Sequence, residues 1–416
     1  MNSFFLKYKT DLFFYSLLLF AFALPLYPII LPAIIVLIIF SRLLLPSPKI
    51  PLASLKYNWQ ILLPVMFYIS YLASIVYSAN RSFAYLDYEI KFSLILFPFL
   101  LTVLEKQNKE FFRKLFFAFI YGCAVSMAIC IAFAVYRFVN EKMDIAKGLP
   151  NGDYGINFFL SSRLSLFIHP SYLAMYLNFA LLALFSYRHS YLPLEKQKNI
   201  FLFLFISFGI ILLASKAGLI ILILQWICFT TIYLKETRNY ILGAISTGLI
   251  SLVFVFLYFS APEFALKIKH VSAVFETNKI DSTTTESSAE RVLVWGCAKE
   301  LIFENPLSGV GAGDIKDELL AKYAKKGYTG VLDRKLNAHN QFLQTGVALG
   351  IPSMILCIVM CFYPLLFFIK NKFLLGIFFS LSIIINFMFE SMLETQSGVL
   401  FFAFWSMVLT YRPNSE

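Results

Sequence analysis

Residues 346–369 read GVALGIPSMILCIVMCFYPLLFFI, a run without one charged side chain. At 1.5 Å rise per residue, a helix of that length crosses a hydrocarbon layer of roughly 30 Å. A helix apolar on every side belongs either in a large core or in a membrane, and the rest of the chain decides between the two. Comparable runs follow at 373–389 and 397–411. Others precede at 12–27, 28–45, 60–78, 88–104, 112–136, 170–187, 199–215, 217–234 and 240–259. Hydrophobic residues make up 59% of the 416 and charged residues 14%, with a mean hydropathy of +0.75. Water cannot be the main solvent for such a chain, which reads as an all-α integral membrane protein with about twelve transmembrane helices. Pro25, Pro28 and Pro32 either separate the first two spans or break one long one. A cleavable signal peptide is not expected, because no small-residue cleavage site is followed by a soluble mature chain.

The formal net charge of +11 raises the question of a nucleic-acid partner, which the placement of the basic residues answers. Arg42, Lys49 and Lys56 share one short loop, and Lys106, Lys109, Arg113 and Lys114 the next of the same parity. Arg188, Lys196 and Lys198 follow, then Lys235 and Arg238, then Lys370 and Lys372. This is the positive-inside pattern; it puts both termini in the cytoplasm and calls for no nucleic acid. By contrast, 260–340 balances 11 acidic against 11 basic residues. The chain therefore divides into a transmembrane bundle (1–259), a large helical segment outside the membrane (260–345) and closing transmembrane helices (346–416). Shorter outer connections are expected at 79–87, at 138–169 and around Ser215–Lys216. Cys123, Cys130, Cys228, Cys357 and Cys361 lie in apolar runs and only Cys297 in the outer segment, so they read as small buried hydrophobes and not as a disulfide or zinc framework.

Within the outer segment, Ser287 and Ser288 stand ready to cap an amphipathic helix over Ala289–Phe303, with Val292, Trp295, Ala298 and Ile302 on its apolar face. Asn305-Pro306 ends it. Asp314 is placed to cap a second helix to about Lys325, facing inward with Ile315, Leu319 and Tyr323. A third starts near Asn337 and runs into the next span. Between Thr277 and Ser288 the sequence is polar and reads as a mobile loop at the membrane surface. No internal repeat of the inverted-transporter kind is evident.

Charge near a membrane is costly and usually lines a cavity or meets a substrate. Arg163, His169, Lys216, Arg291 and His339 all fall on the outer side under a topology set by other residues. Lys216, in the tight turn ASKAGL, can face a lipid phosphate or snorkel. Arg291 can serve an anion or pair locally with Glu290, and Arg163 can contact headgroups. His169, before Pro170 at a helix start, has an equally simple structural reading. His339 in NAHNQFLQ is expected in the first turn of a helix, where the dipole disfavours a charged ring and leaves a base able to take a hydroxyl proton, or else a capping group. Gly309, Gly311 and Gly313 in GVGAGD follow no strand, so a helix-joining turn outweighs a nucleotide loop. Glu390 and Glu394, between the last two spans, can bind sugar hydroxyls, pair with a cation or remain solvated.

In order, ERVLVW (290–295), ENPLSGVGAGD (304–314) and NAHNQFLQTGVALGI (337–351) resemble the O-antigen ligase superfamily, which also holds O-antigen polymerases and protein O-oligosaccharyltransferases. HPSYLAMYL (169–177) and SKAG (215–218) extend the likeness upstream. The resemblance implies a GT-C-type membrane fold and metal-independent, inverting transfer of a glycan from undecaprenyl diphosphate, with no cofactor. The acceptor is lipid A-core, a second carrier-linked glycan or a protein, on the periplasmic side of a bacterial inner membrane. By position, His339 corresponds to the proposed base and Arg291 to a diphosphate-binding arginine. Lys216 stands where the family most often has arginine, keeping the charge without the bidentate fork. Arg163 matches more loosely as a further diphosphate contact, and His169, Asn340 and Glu390 as acceptor-binding or structural groups. A transporter of lipid-linked sugar, the reading from another class, would place its ionisable groups near the bilayer midplane instead.

Overall fold

The computed structural model describes residues 2–45, 59–140, 158–188, 193–238 and 287–411, with 241, 248, 251, 255 and 282–283 as isolated positions. No strand occurs among the described residues. The predicted span at 240–259 and the polar loop between Thr277 and Ser288 fall largely outside them. Three described helices are long and apolar enough to cross a membrane: Lys109–Asn140, Lys216–Thr237 and Gln341–Lys370. Shorter apolar helices surround them.

The chain starts with a helical hairpin, α1 (Asn2–Ala23) and α2 (Leu31–Leu43). A 3-10 turn at Pro28–Ile30 separates them, so the early prolines divide two helices. After α3 (Trp59–Ser74) comes a departure from expectation. The run predicted as a span from 88 begins instead as the end of an amphipathic helix, α4 (Arg81–Lys91), followed by α5 (Ser93–Leu100) and a 3-10 stretch to Lys106. Asp87 and Lys91 are buried together on α4, so two charges satisfy each other inside what reads as an apolar segment.

Then follow α6 (Lys109–Asn140), the short α7 (Ser161–Leu164), α8 (Pro170–Ser186), α9 (Pro193–Leu213) and α10 (Lys216–Thr237). Every residue of α8 from Pro170 to Leu184 is buried, so it is apolar all round because it is the central post of the bundle. Around its Phe179, the rings of Phe116, Phe119, Phe379, Phe401 and Trp405 lie 5.0 to 6.0 Å away.

The remaining helices are α11 (Ser287–Glu304), α12 (Ile315–Lys326), α13 (Thr329–Asp333), α14 (Gln341–Lys370), α15 (Leu374–Phe389) and α16 (Gln396–Tyr411). On α12, Ile315, Leu319 and Tyr323 are buried, as their spacing predicts. On α11 the buried face is rotated from the predicted one. Ala298 and Ile302 are buried as predicted and are joined by Val294, Cys297 and Leu301, while Val292 is exposed, because α11 packs against both α12 and α14.

The glycine loop 305–314 is a splice. Within α14, Gly350 leaves the helical conformation (φ 78°, ψ −178°) and Pro352 has no N–H, so the carbonyls of Val347 and Ala348 lose their helical donors. Val310 and Gly311 supply replacements, donating to Val347 O at 2.8 Å and Ala348 O at 2.9 Å, while Ile351 N–H donates to Pro306 O at 2.7 Å. A Cβ on Gly309 would stand 2.4 Å from the carbonyl carbon of Ala348, which is why this approach demands glycine. Asp314 does not cap α12 with its side chain as expected. Its carboxylate accepts from the backbone N–H groups of Ala79 and Asn80, at 2.8 and 2.7 Å, tying the loop to the turn that leads from α3 into α4.

Candidate active site

At one end of the bundle the N-termini of α8, α10 and α14 meet the C-terminus of α15, with α11 alongside. Between them lies a cavity of about 410 Å³ lined by His169, Lys216, Arg291, Arg334, His339 and Glu390, among others.

Glu390 organises this cavity. It ends α15, where the backbone becomes extended (φ −145°, ψ 147°) and turns its carboxylate inward. Oε2 lies 3.0 Å from His339 Nδ1, and Oε1 accepts from Arg291 Nη2 at 3.1 Å and from Ser171 Oγ at 3.4 Å. Arg291 Nε also donates to Phe389 O at 3.3 Å. Burial works against the charged carboxyl, but the hydrogen bond from His339 and the charges of His339, Arg291 and His169 outweigh it and hold Glu390 below the usual carboxylate range. A carboxylate only accepts, so the bonded Nδ1 of His339 carries a proton, and whenever the ring holds one proton its lone pair lies on Nε2.

His339 is not in the first turn of α14, as the sequence suggests. The helix begins at Gln341, with Asn340 as its cap accepting from Leu343 N–H at 3.0 Å. His339 precedes the cap in the left-handed region (φ 44°), its own N–H donating to Asn337 Oδ1 at 2.9 Å. The ring is oriented by Glu390 and not by the helix axis. Asn340 Nδ2 latches to Met388 O at 3.1 Å, so this asparagine joins α14 to α15 just beside the histidine.

Lys216 opens α10 behind the cap Ser215, whose Oγ accepts from Gly218 N–H at 3.3 Å, after Ala214 in a left-handed turn (φ 48°). A lysine at a helix N-terminus gains nothing from the dipole; lysine and dipole together favour a bound anion. His169 caps α8, its Nδ1 accepting from Ser171 N–H at 3.4 Å. Arg163 is exposed on α7; Ser161 and Ser162 of that helix line the cavity, while Arg163 is not among its lining side chains. Arg291 takes Glu390 and not its neighbour Glu290, which is held instead by Arg334 through Nη1 at 2.7 Å to both oxygens. Sequence reasoning missed Arg334, whose signal is its place three residues before Asn337 of the NAHN stretch.

Glu394 is not solvated either. It accepts from Lys91 Nζ at 3.1 Å, and Lys91 also bonds Asp87 and sits 4.4 Å from the Tyr71 ring centre. Gln344 Nε2 donates to its other oxygen at 3.3 Å.

Residues 201–358 match the family described as O-antigen ligase. Lys216, Arg291, Arg334 and His339 lie inside the match; His169 and Glu390, which complete the cavity, lie outside it. No curated protein matches the chain. Over residues 201–358 the chain is thus similar to the O-antigen ligase family, and the apolar helices on both sides of that match mark it as a membrane protein.

Proposed function

We propose that the protein is a metal-independent, inverting glycosyltransferase that moves a glycan from undecaprenyl diphosphate onto lipid A-core, on the periplasmic side of a bacterial inner membrane. The observation that carries this reading is one carboxylate, Glu390, holding a histidine by one oxygen and an arginine by the other at the wall of a cationic cavity. Arg291, Lys216 and Arg334 suit a diphosphate, with the N-termini of α8 and α10 adding partial positive charge. Arg163, outside the lining, has a place in this scheme only as a headgroup contact at the cavity's edge. The basic residues of alternate loops support cytoplasmic termini, and thereby a periplasmic site in the segment 260–345 and its neighbours.

The chemistry balances without a metal or nucleotide, because the diphosphate is already a good leaving group. Nε2 of His339 takes the proton of an acceptor hydroxyl as its oxygen attacks the anomeric carbon. The bond from that carbon to the diphosphate breaks on the opposite face, and the cations receive the departing charge. Glu390 stabilises the imidazolium that forms. A transporter has no use for a base held in one tautomer beside an anion site.

The test is transfer by the full chain in liposomes, given undecaprenyl diphosphate glycan with and without lipid A-core. Glycosylated lipid A-core from the wild type, reduced roughly 10²- to 10⁴-fold in His339→Ala, is the expected result. Longer carrier-bound chains formed without lipid A-core would make the enzyme a polymerase, and donor that never loses its diphosphate would overturn the transferase reading.

A further inference from the structure

His339 lines a second cavity, of about 430 Å³, between α4, α12 and the start of α14. Its chemistry is opposite to that of the first. Phe83, Leu86 and Ile90 of α4 form an apolar wall, and Asp87, Gln344 and Glu394 supply polar groups. Exposed lysines, Lys316 and Lys335, complete the lining and offset the carboxylates. Asp87 is only 4% exposed, and its Oδ2 has no hydrogen-bond partner among the described residues. Leaving a buried carboxylate oxygen unmatched is costly, so its retention beside a cavity points to a donor arriving from outside. Lys91, fully buried behind the wall, pins Asp87 and Glu394 in place, and Gln344 holds Glu394 from the other side.

An aromatic and aliphatic wall facing fixed acceptor oxygens fits a sugar, which offers apolar C–H faces and many hydroxyl donors. It does not fit a diphosphate, which brings only acceptors to the oxygens of Asp87 and Glu394. We infer that this second cavity seats the acceptor sugar, and that His339 stands between donor and acceptor because it lines both sites. This rests on the transferase reading above and adds the location and chemical class of the acceptor site. Asp87 and Glu394 then take hydroxyl hydrogens of the acceptor, orienting the reacting hydroxyl toward Nε2.

The experiment measures binding without turnover, so that it stands apart from the transfer assay. The full chain in nanodiscs is titrated with core oligosaccharide released from lipid A-core and, separately, with undecaprenyl diphosphate. Leu86→Trp fills the second cavity from a position that is 59% exposed, and Phe83→Ala removes its aromatic wall without adding bulk. Both should weaken core-oligosaccharide binding about tenfold or more and leave undecaprenyl diphosphate within about twofold, with Lys216→Ala showing the reverse. Wild-type binding of the oligosaccharide unchanged in both variants, or none at all, overturns the inference even if transfer occurs. Absence of transfer alongside the expected binding pattern would instead sink the catalytic reading and leave this site standing.

Discussion

At the scale of single residues, Glu390 is the group on which most depends. Glu390→Gln keeps the shape but removes the charge that pairs with Arg291 and, in the proposed mechanism, steadies the imidazolium. Turnover should fall by about 10²-fold or more, read as the transfer rate, with donor binding weakened less. The same change should lower stability by about 2 kcal/mol at pH 7, through lost hydrogen bonds to charged partners. The held-down carboxyl gives this contribution a definite pH dependence. It is fully present above the unfolded carboxylate value of about 4.3 and is lost only as pH falls through the lower folded value. Thermal unfolding of wild type and Glu390→Gln should therefore differ by a steady amount well above the unfolded value of about 4.3 and converge progressively as pH falls beneath it. The residues that line the cavity were largely visible in the sequence, because isolated ionisable groups beside apolar runs are conspicuous: Lys216, Arg291, His339 and His169. Their partners were not. Nothing in the spacing says that Arg291 passes over the adjacent Glu290 to reach Glu390, or that Arg334 takes Glu290 in its place. Arg163 shows the reverse failure, since being a cation near the mouth did not bring it into the lining.

Among the elements, the loop 305–314 explains its own composition. The glycines that superficially suggest phosphate binding are required by backbone contact with α14, where a broken helix needs outside donors. Gly350→Ala should be severe. Its φ and ψ lie in a region open essentially to glycine alone, and a Cβ would meet the Leu307 carbonyl carbon at 2.6 Å. A loss above about 3 kcal/mol, seen as a large drop in unfolding temperature in detergent, is expected. Gly327→Ala is the control: its φ is also positive, at 68°, but nothing lies within 4 Å, so only about 1 kcal/mol should be lost. Helix existence was legible wherever the apolar runs are long, and α8, α10, α14, α15 and α16 appear close to the predicted limits. Boundaries failed where tertiary partners replace local ones. Asp314 forgoes its own helix to hold Ala79 and Asn80, α14 starts later than its polar lead-in suggests, and α4 interrupts an apolar run with a charge pair invisible without its partner Glu394.

Across the whole molecule, that charge cluster links distant parts of the chain. Lys91 comes from α4, Glu394 from the turn between α15 and α16, and Gln344 from the first turn of α14. Lys91→Met would leave Asp87 and Glu394 as buried carboxylates facing one another, and should cost about 3 to 5 kcal/mol in unfolding measurements. Adding Asp87→Asn should recover part of that loss; a double variant no better than the single one would show that Lys91 acts through packing alone. Membrane character was plain from composition, whereas the way the N-terminal α4 closes against the C-terminal turn was not, since long-range ion pairs leave no periodicity. His339 lines both cavities, which bears on the order in which they fill. If the two cavities are the proposed donor and acceptor sites, neither must empty before the other fills, and no glycan needs to rest covalently on the protein. Initial rates measured against both substrates should give intersecting reciprocal lines, the mark of a ternary complex, and not the parallel lines of a ping-pong exchange.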